Sequence, residues 1–174
     1  MKTNEDAAVV LRREYGSVEN FLSRMNPDLQ SKAGCYPERA FFGTAPTLAT
    51  INKVWGMNTA KMWLLPQLNS LAYFCGVREK MTDRVMEELA DIISTEWPWL
   101  KTSELMLFFY RFKTGRFGRF YGAIDPMIIT GAIRDFVKER AIEIDKRESS
   151  LLQQKLEESK KTCITYDEWI KLKK

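Results

Sequence analysis

The residues best suited to chemistry crowd into one stretch, Phe108–Gly122, which reads FFYRFKTGRFGRFYG. It holds four cations (Arg111, Lys113, Arg116 and Arg119), seven aromatic rings, three glycines and no acid. Arginine and lysine next to exposed rings is the composition of a surface that contacts phosphates while unpaired bases stack on the rings. Glycines at 115, 118 and 122 let the backbone turn or approach a ligand closely. On this reading the contact residues are Arg111, Lys113, Arg116, Phe117, Arg119, Phe120 and Tyr121. A structural reading competes with it: the rings are core, and the cations are solvated or pair with the acidic face of the helix that starts at Thr82. Phe108, Phe109 and Phe112 have helical spacing and favour burial, whereas Phe117, Phe120 and Tyr121 lie past Gly115, where packing alone explains them less well. No Gly-Lys-Ser/Thr follows the glycines, so the stretch is not a nucleotide P-loop.

Other chemistry finds little support. The chain has no histidine, which removes Ser-His and Cys-His nucleophiles and His-ligated metals. Cys35, Cys75 and Cys163 are far apart and form no Cys-x-x-Cys, so they read as buried or idle thiols. Carboxylate pairs such as Glu87/Glu88 and Glu143/Asp145 sit among lysines and arginines, the pattern of a solvated face. The expectation is a protein that is not an enzyme and needs no cofactor or metal. A second DNA-reading candidate is Thr47–Leu68, which has the outline of a helix-turn-helix with Gly56 in the turn and the small Ala49 at the crossing. Its second helix suits the task poorly. Only Asn58, Lys61 and Gln67 could reach bases or phosphates, and Pro66 interrupts it.

The elements that must position these residues are helices. Residues 4–15 read as one, stopped by Gly16; Ser17 caps a short turn carrying Val18, Phe21 and Leu22. Asn26-Pro27 opens another as cap and first helical residue, and Gly34 closes it. Residues 35–44 read as a loop held by Phe41 and Phe42. Leu48, Ile51, Val54 and Trp55 mark a helix ended by Gly56. Trp63, Leu64, Leu68, Leu71 and Phe74 or Cys75 line one side of the next, with a kink or restart at Pro66. Thr82 caps a helix with Val85, Met86, Leu89, Ile92 and Ile93 inward. Trp97-Pro98-Trp99 breaks the chain before a helix running from 104 to 113. Asp125-Pro126 opens the longest helix, whose seam is Ile129, Ile133, Phe136, Val137, Ala141 and Ile144. No run of alternating apolar residues appears, so the fold class is all-α: an irregular multi-helix bundle with a charged C-terminal helical extension.

That extension begins at Lys146. Residues 146–161 hold five Lys or Arg, three Glu, and only Leu151, Leu152 and Leu156 as apolar anchors. Thr165-Tyr166-Asp167-Glu168 then forms a capping box ahead of Trp169 and Ile170. Tyr166, Trp169 and Ile170 thus make either a docking peptide for a protein partner or a cover for a core edge. The domain reading is a helical domain over 1–145, with N-terminal helices and loop over 1–44 and a core over 45–145, followed by the extension over 146–174.

At 174 residues, with 45% hydrophobic and 29% charged residues, the chain can bury a core without staples. The net charge of +4 permits an anionic partner, DNA or RNA, without demanding one. No apolar stretch reaches the length of a membrane span and none has signal-peptide character, so the expected location is cytoplasmic, away from membranes.

Three segments, APTLATINKVWG, WLLPQLNSLAYFCGV and ELADIISTEWPWLKTSELMLFFYRFKTGRFGRFYGAIDPMIITGAIRDFVKER, resemble an uncharacterised domain family of Bacteroides-type bacteria and their phages and conjugative elements. The resemblance covers about 45–140 and is densest over 99–140. In layout, with a helical body followed by a Thr- or Ser-capped helix and a basic stretch, the chain is more loosely similar to the small all-α phage helicase loaders. The resemblance implies an accessory protein of a mobile element and supplies no catalytic residue. Two functions follow as expectations: nucleic-acid binding through the basic-aromatic stretch, or protein–protein adaptation through the C-terminal tail.

Overall fold

A computed structural model describes residues 3–76, 81–118 and 125–162, leaving aside the side chains of 3–6 and 160–162. Among these residues the fold is all-α: α1 (Thr3–Tyr15), α2 (Val18–Arg24), α3 (Leu29–Cys35), α4 (Pro37–Phe42), α5 (Leu48–Trp55), α6 (Thr59–Phe74), α7 (Asp83–Glu96), α8 (Thr102–Lys113) and α9 (Pro126–Thr162). The chain divides into two compact units, Met1–Phe136 and Val137–Lys174.

Local chemistry sets most boundaries. Ser17, Thr47 and Thr82 place side-chain oxygens on the amides of Asn20, Thr50 and Val85. Asp125 accepts from the Met127 amide at 2.8 Å with Pro126 in the first helical position. Each bond satisfies an amide that the helix itself leaves open. Gly16 and Gly56 stop α1 and α5 at φ of +72° and +118°, values that a side chain would strain.

Four local expectations are corrected. Residues 35–44 are not a loop: Pro37 starts α4, and its C-terminal end is satisfied from elsewhere, by the Lys101 ammonium donating to the carbonyls of Phe41 and Gly43 at 2.8 and 2.9 Å. Asn26 does not cap α3 directly; its Oδ1 takes the Asp28 amide at 2.9 Å and the helix begins at Leu29. Gly34 lies within α3 instead of ending it, because the Tyr110 ring of α8 rests where a Cβ would stand. Pro66 does not restart α6, which runs through it.

The core of the first unit is built around α6 and α8. Helix α6 packs on α5, α7 and α8, and α8 also packs on α3 and α4. Trp63, Leu64, Leu68 and Leu71 are buried as the spacing predicts, with Ala60, Ala72, Leu105, Phe108, Phe109 and Phe112. On α7, Met86, Leu89 and Ile93 face inward, but Ile92 is exposed. The first turns of α9 bury Ile129, Ile133 and Phe136, whose ring stacks on Phe41 at 5.8 Å and meets Phe108 edge-on at 5.7 Å. The starts of α5 and α8 lock together. Leu48 donates to the Leu100 carbonyl and Thr102 to that of Pro46, at 3.0 and 2.9 Å, so each helix end satisfies an amide of the other.

The second unit carries the described remainder of α9. Leu151, Leu152 and Leu156 are exposed there, and Lys146 pairs with Glu143 one turn away at 3.0 Å.

Candidate functional site

Helix α8 ends where the basic-aromatic stretch turns. The Arg116 amide donates to the Arg111 carbonyl at 3.1 Å and the Gly115 amide to that of Phe112 at 3.0 Å, with Gly115 at φ +80°. This pair of bonds is the Schellman arrangement, and it requires the left-handed conformation that glycine takes without strain. Gly118, at φ +107°, follows and donates to the Gly115 carbonyl at 3.1 Å. The turn brings Phe117 back onto the helix, with its ring 5.5 Å from Phe108 and 6.3 Å from Phe112. Phe117 is therefore half-buried and partly engaged by the core.

Lys113, in the last turn of α8, crosses to the end of α6. Its ammonium donates to Ser70 Oγ at 2.8 Å and lies 5.6 Å from the centre of the Phe74 ring. Burial pushes its pKa below the ordinary lysine range, opposed by the negative charge that Cys75 carries as a thiolate. No carboxylate among the described residues is paired with it. Partial desolvation of a cation carries a cost to the fold. The same burial raises the Cys75 thiol, making it a slow nucleophile.

The other residues singled out by sequence fall in several places. Arg111 is half-buried, its guanidinium 5.5 Å from the Phe41 ring and 5.8 Å from Phe136; it clamps α4 and α9 onto α8. Arg116 is exposed on the turn. Arg119, Phe120 and Tyr121 lie outside the described residues, as do Tyr166, Trp169 and Ile170 of the tail and Cys163. Of the remaining thiols, Cys35 is exposed and Cys75 half-buried.

The helix-turn-helix outline is present as α5 and α6, but two of its three would-be contacts are occupied, while Asn58 is exposed. Gln67 is fully buried, donating to the Met25 carbonyl at 3.2 Å and accepting from Gln30 at 2.7 Å. Lys61 pairs with Asp91 at 2.8 Å and Glu87 at 3.5 Å on α7. Ala49, expected at the helix crossing, is exposed, and Ala60 takes the buried position. Helix α6 is thus mainly a core helix, with Gln67 and Lys61 committed to contacts within the protein.

Two residues that spacing did not single out complete the site. Of Phe74 or Cys75, expected on the inner side of α6, Cys75 is half-buried while Phe74 is 61% exposed, and Tyr73 beside it is 78% exposed. With Pro66, Asn69, Ser70 and Lys113 they line an open recess of ≈ 500 Å³. The signal was the face of α6 marked by Pro66, Asn69 and Ser70, residues seldom buried in a helix; one more turn along it reaches Tyr73 and Phe74. Among the described residues no group of His, Cys, Asp or Glu could hold a metal ion, and no helix is long and apolar enough to cross a membrane.

Fold and site together define a class: an all-α protein with a basic-aromatic recess where the C-terminal ends of two core helices meet. Residues 80–174 match the model of a family of unknown function, DUF6633, and the chain belongs to that family. No curated protein and no solved structure matches it.

Proposed function

We propose that the protein is a non-enzymatic accessory factor of a mobile element that binds nucleic acid through the basic-aromatic stretch and the recess beside it. Lys113 and Arg116 supply the phosphate contacts, continued by Arg119. Phe117 is the nearby ring, Phe120 and Tyr121 follow in the sequence, and Arg111 fixes the helix end that carries Lys113. The observation supporting this most is Lys113, a half-buried ammonium that no described carboxylate neutralises. A phosphate backbone offers such a cation a dense row of counter-charges, and the gain from released counterions is greatest at low salt. On this proposal the activity belongs to replication, a reading suggested only by the loose likeness in layout to phage helicase loaders.

The test is a fluorescence-anisotropy titration of labelled DNA at several salt concentrations, comparing the wild type with Lys113→Met/Arg116→Ala. Affinity should fall steeply with salt, and the log-log slope should flatten by about one to two units in the double variant. Absence of binding at low salt overturns the proposal.

The exposed Leu151, Leu152 and Leu156 favour a second reading, a protein–protein adaptor acting through the C-terminal extension with Tyr166, Trp169 and Ile170 as its anchor. A chain truncated after Arg147 that keeps full DNA affinity but loses a protein partner would assign the tail this separate role.

A further inference from the structure

We infer that the nucleic acid taken by this surface is single-stranded, its bases stacking on Phe74 and Tyr73 while its backbone follows Lys113; the inference rests on the nucleic-acid reading above. Helix α6 is buried along its other faces, at Ala60, Trp63, Leu64, Gln67, Leu68, Leu71 and Ala72. Its exposed residues are Met62, Pro66, Asn69, Tyr73 and Phe74, and this strip ends in two exposed rings. Two large exposed rings side by side at the end of a core helix suit a contact surface. The Lys113 ammonium stands 5.6 Å from the Phe74 ring centre, so the phosphate and the base of one nucleotide can meet the cation and the ring together.

The chemistry of the walls selects against a duplex. In a duplex the base faces are already covered by the neighbouring base pairs and offer a ring nothing to stack on, whereas an unpaired base can turn a free π-face to it. The recess adjoins a second one that shares Pro66 and Asn69 but is walled by Asp83 and Glu87. A second phosphate backbone laid beside the first would run over these carboxylates and be repelled. One strand avoids them by keeping its phosphates toward Lys113 and Arg116. Asn69 and Ser70, on the recess wall, offer hydrogen-bonding groups that any base edge can use, which fits tolerance of sequence.

The experiment titrates the full chain with a labelled fifteen-nucleotide oligo-dT and with a hairpin duplex, at one low salt concentration. The proteins are the wild type, Tyr73→Ala/Phe74→Ala and Phe74→Trp. Because both rings are exposed, the variants should keep the wild-type circular dichroism and melting temperature. The expected result is at least tenfold preference of the wild type for oligo-dT, a loss of about tenfold or more in the alanine variant, and retention in Phe74→Trp. Equal affinity for oligo-dT and hairpin, or an alanine variant that binds oligo-dT like the wild type, overturns the inference while leaving nucleic-acid binding intact. Failure to bind either DNA overturns both.

Discussion

Lys113 of α8 donates to Ser70 of α6 at 2.8 Å, and this bond holds the two helix ends whose side chains make the recess. The lysine is poorly placed for stability and well placed for an anion. Functional sites commonly carry a local cost of this kind. Lys113→Met keeps the aliphatic stem against Phe74 and removes the desolvated charge. Its unfolding free energy in urea should equal the wild type's or exceed it by up to about 1 kcal/mol, while its affinity for DNA falls. A variant both less stable and unchanged in DNA binding would show that Lys113 serves the fold.

The pH dependence follows from the direction of the Lys113 shift. The unfolded chain holds this proton up to the ordinary lysine value of 10.5, and the folded chain releases it earlier because burial disfavours the charge. Between those points the unfolded state binds more protons, so the lysine's contribution to stability rises with pH until both states are neutral. DNA binding has the opposite sign, since phosphate requires the ammonium. Relative to Lys113→Met, the wild type should gain stability and lose its affinity advantage as pH climbs toward 10.5. Parallel pH profiles for the two proteins would contradict this.

Gly34→Ala tests the contact that joins α3 to α8. An added Cβ would overlap the ring of Tyr110, and that ring must move or the helices must separate. A loss of about 1–3 kcal/mol is expected in chemical denaturation. Tyr110→Ala should relieve much of it, so the double variant is expected to be more stable than the sum of the single losses implies.

The buried amide chain gives a second coupled pair. Gln30 donates to Gln67 at 2.7 Å, and Gln67 donates to the Met25 carbonyl, which also accepts from the Trp63 indole at 2.8 Å. Gln67→Leu strands the Gln30 amide and should cost about 1–3 kcal/mol. Adding Gln30→Met removes the stranded group, and the double variant should recover part of the loss in the same denaturation assay.

Cys75 and Cys35 should separate by reactivity. Cys35 is exposed, while Cys75 is half-buried with its thiol raised by burial. Iodoacetamide labelling at neutral pH followed by peptide mapping should modify Cys35 first. Faster modification of Cys75 would mean that its surroundings open readily.

The sequence alone determined the all-α class and most helix ends, because those depend on neighbours along the chain. Ser17, Thr47, Thr82 and Asp125 each cap from within three residues, and Gly16, Gly56 and Gly115 stop helices by a backbone preference of their own. The basic-aromatic stretch was legible for the same reason. Tertiary structure decided what depends on partners distant in sequence. The helix at 37–42 is satisfied by Lys101, Gly34 answers to Tyr110, and Gln67 is polar in type yet wholly buried because Gln30 and Met25 bond it. It also decided that Phe74 faces outward. Periodicity gives a helix an apolar side but not the extent of its neighbours, and at the last turn of α6 the packing leaves that ring open. Lys113 reads in sequence as one cation among four; the packing of α8 against α6 is what partly desolvates it.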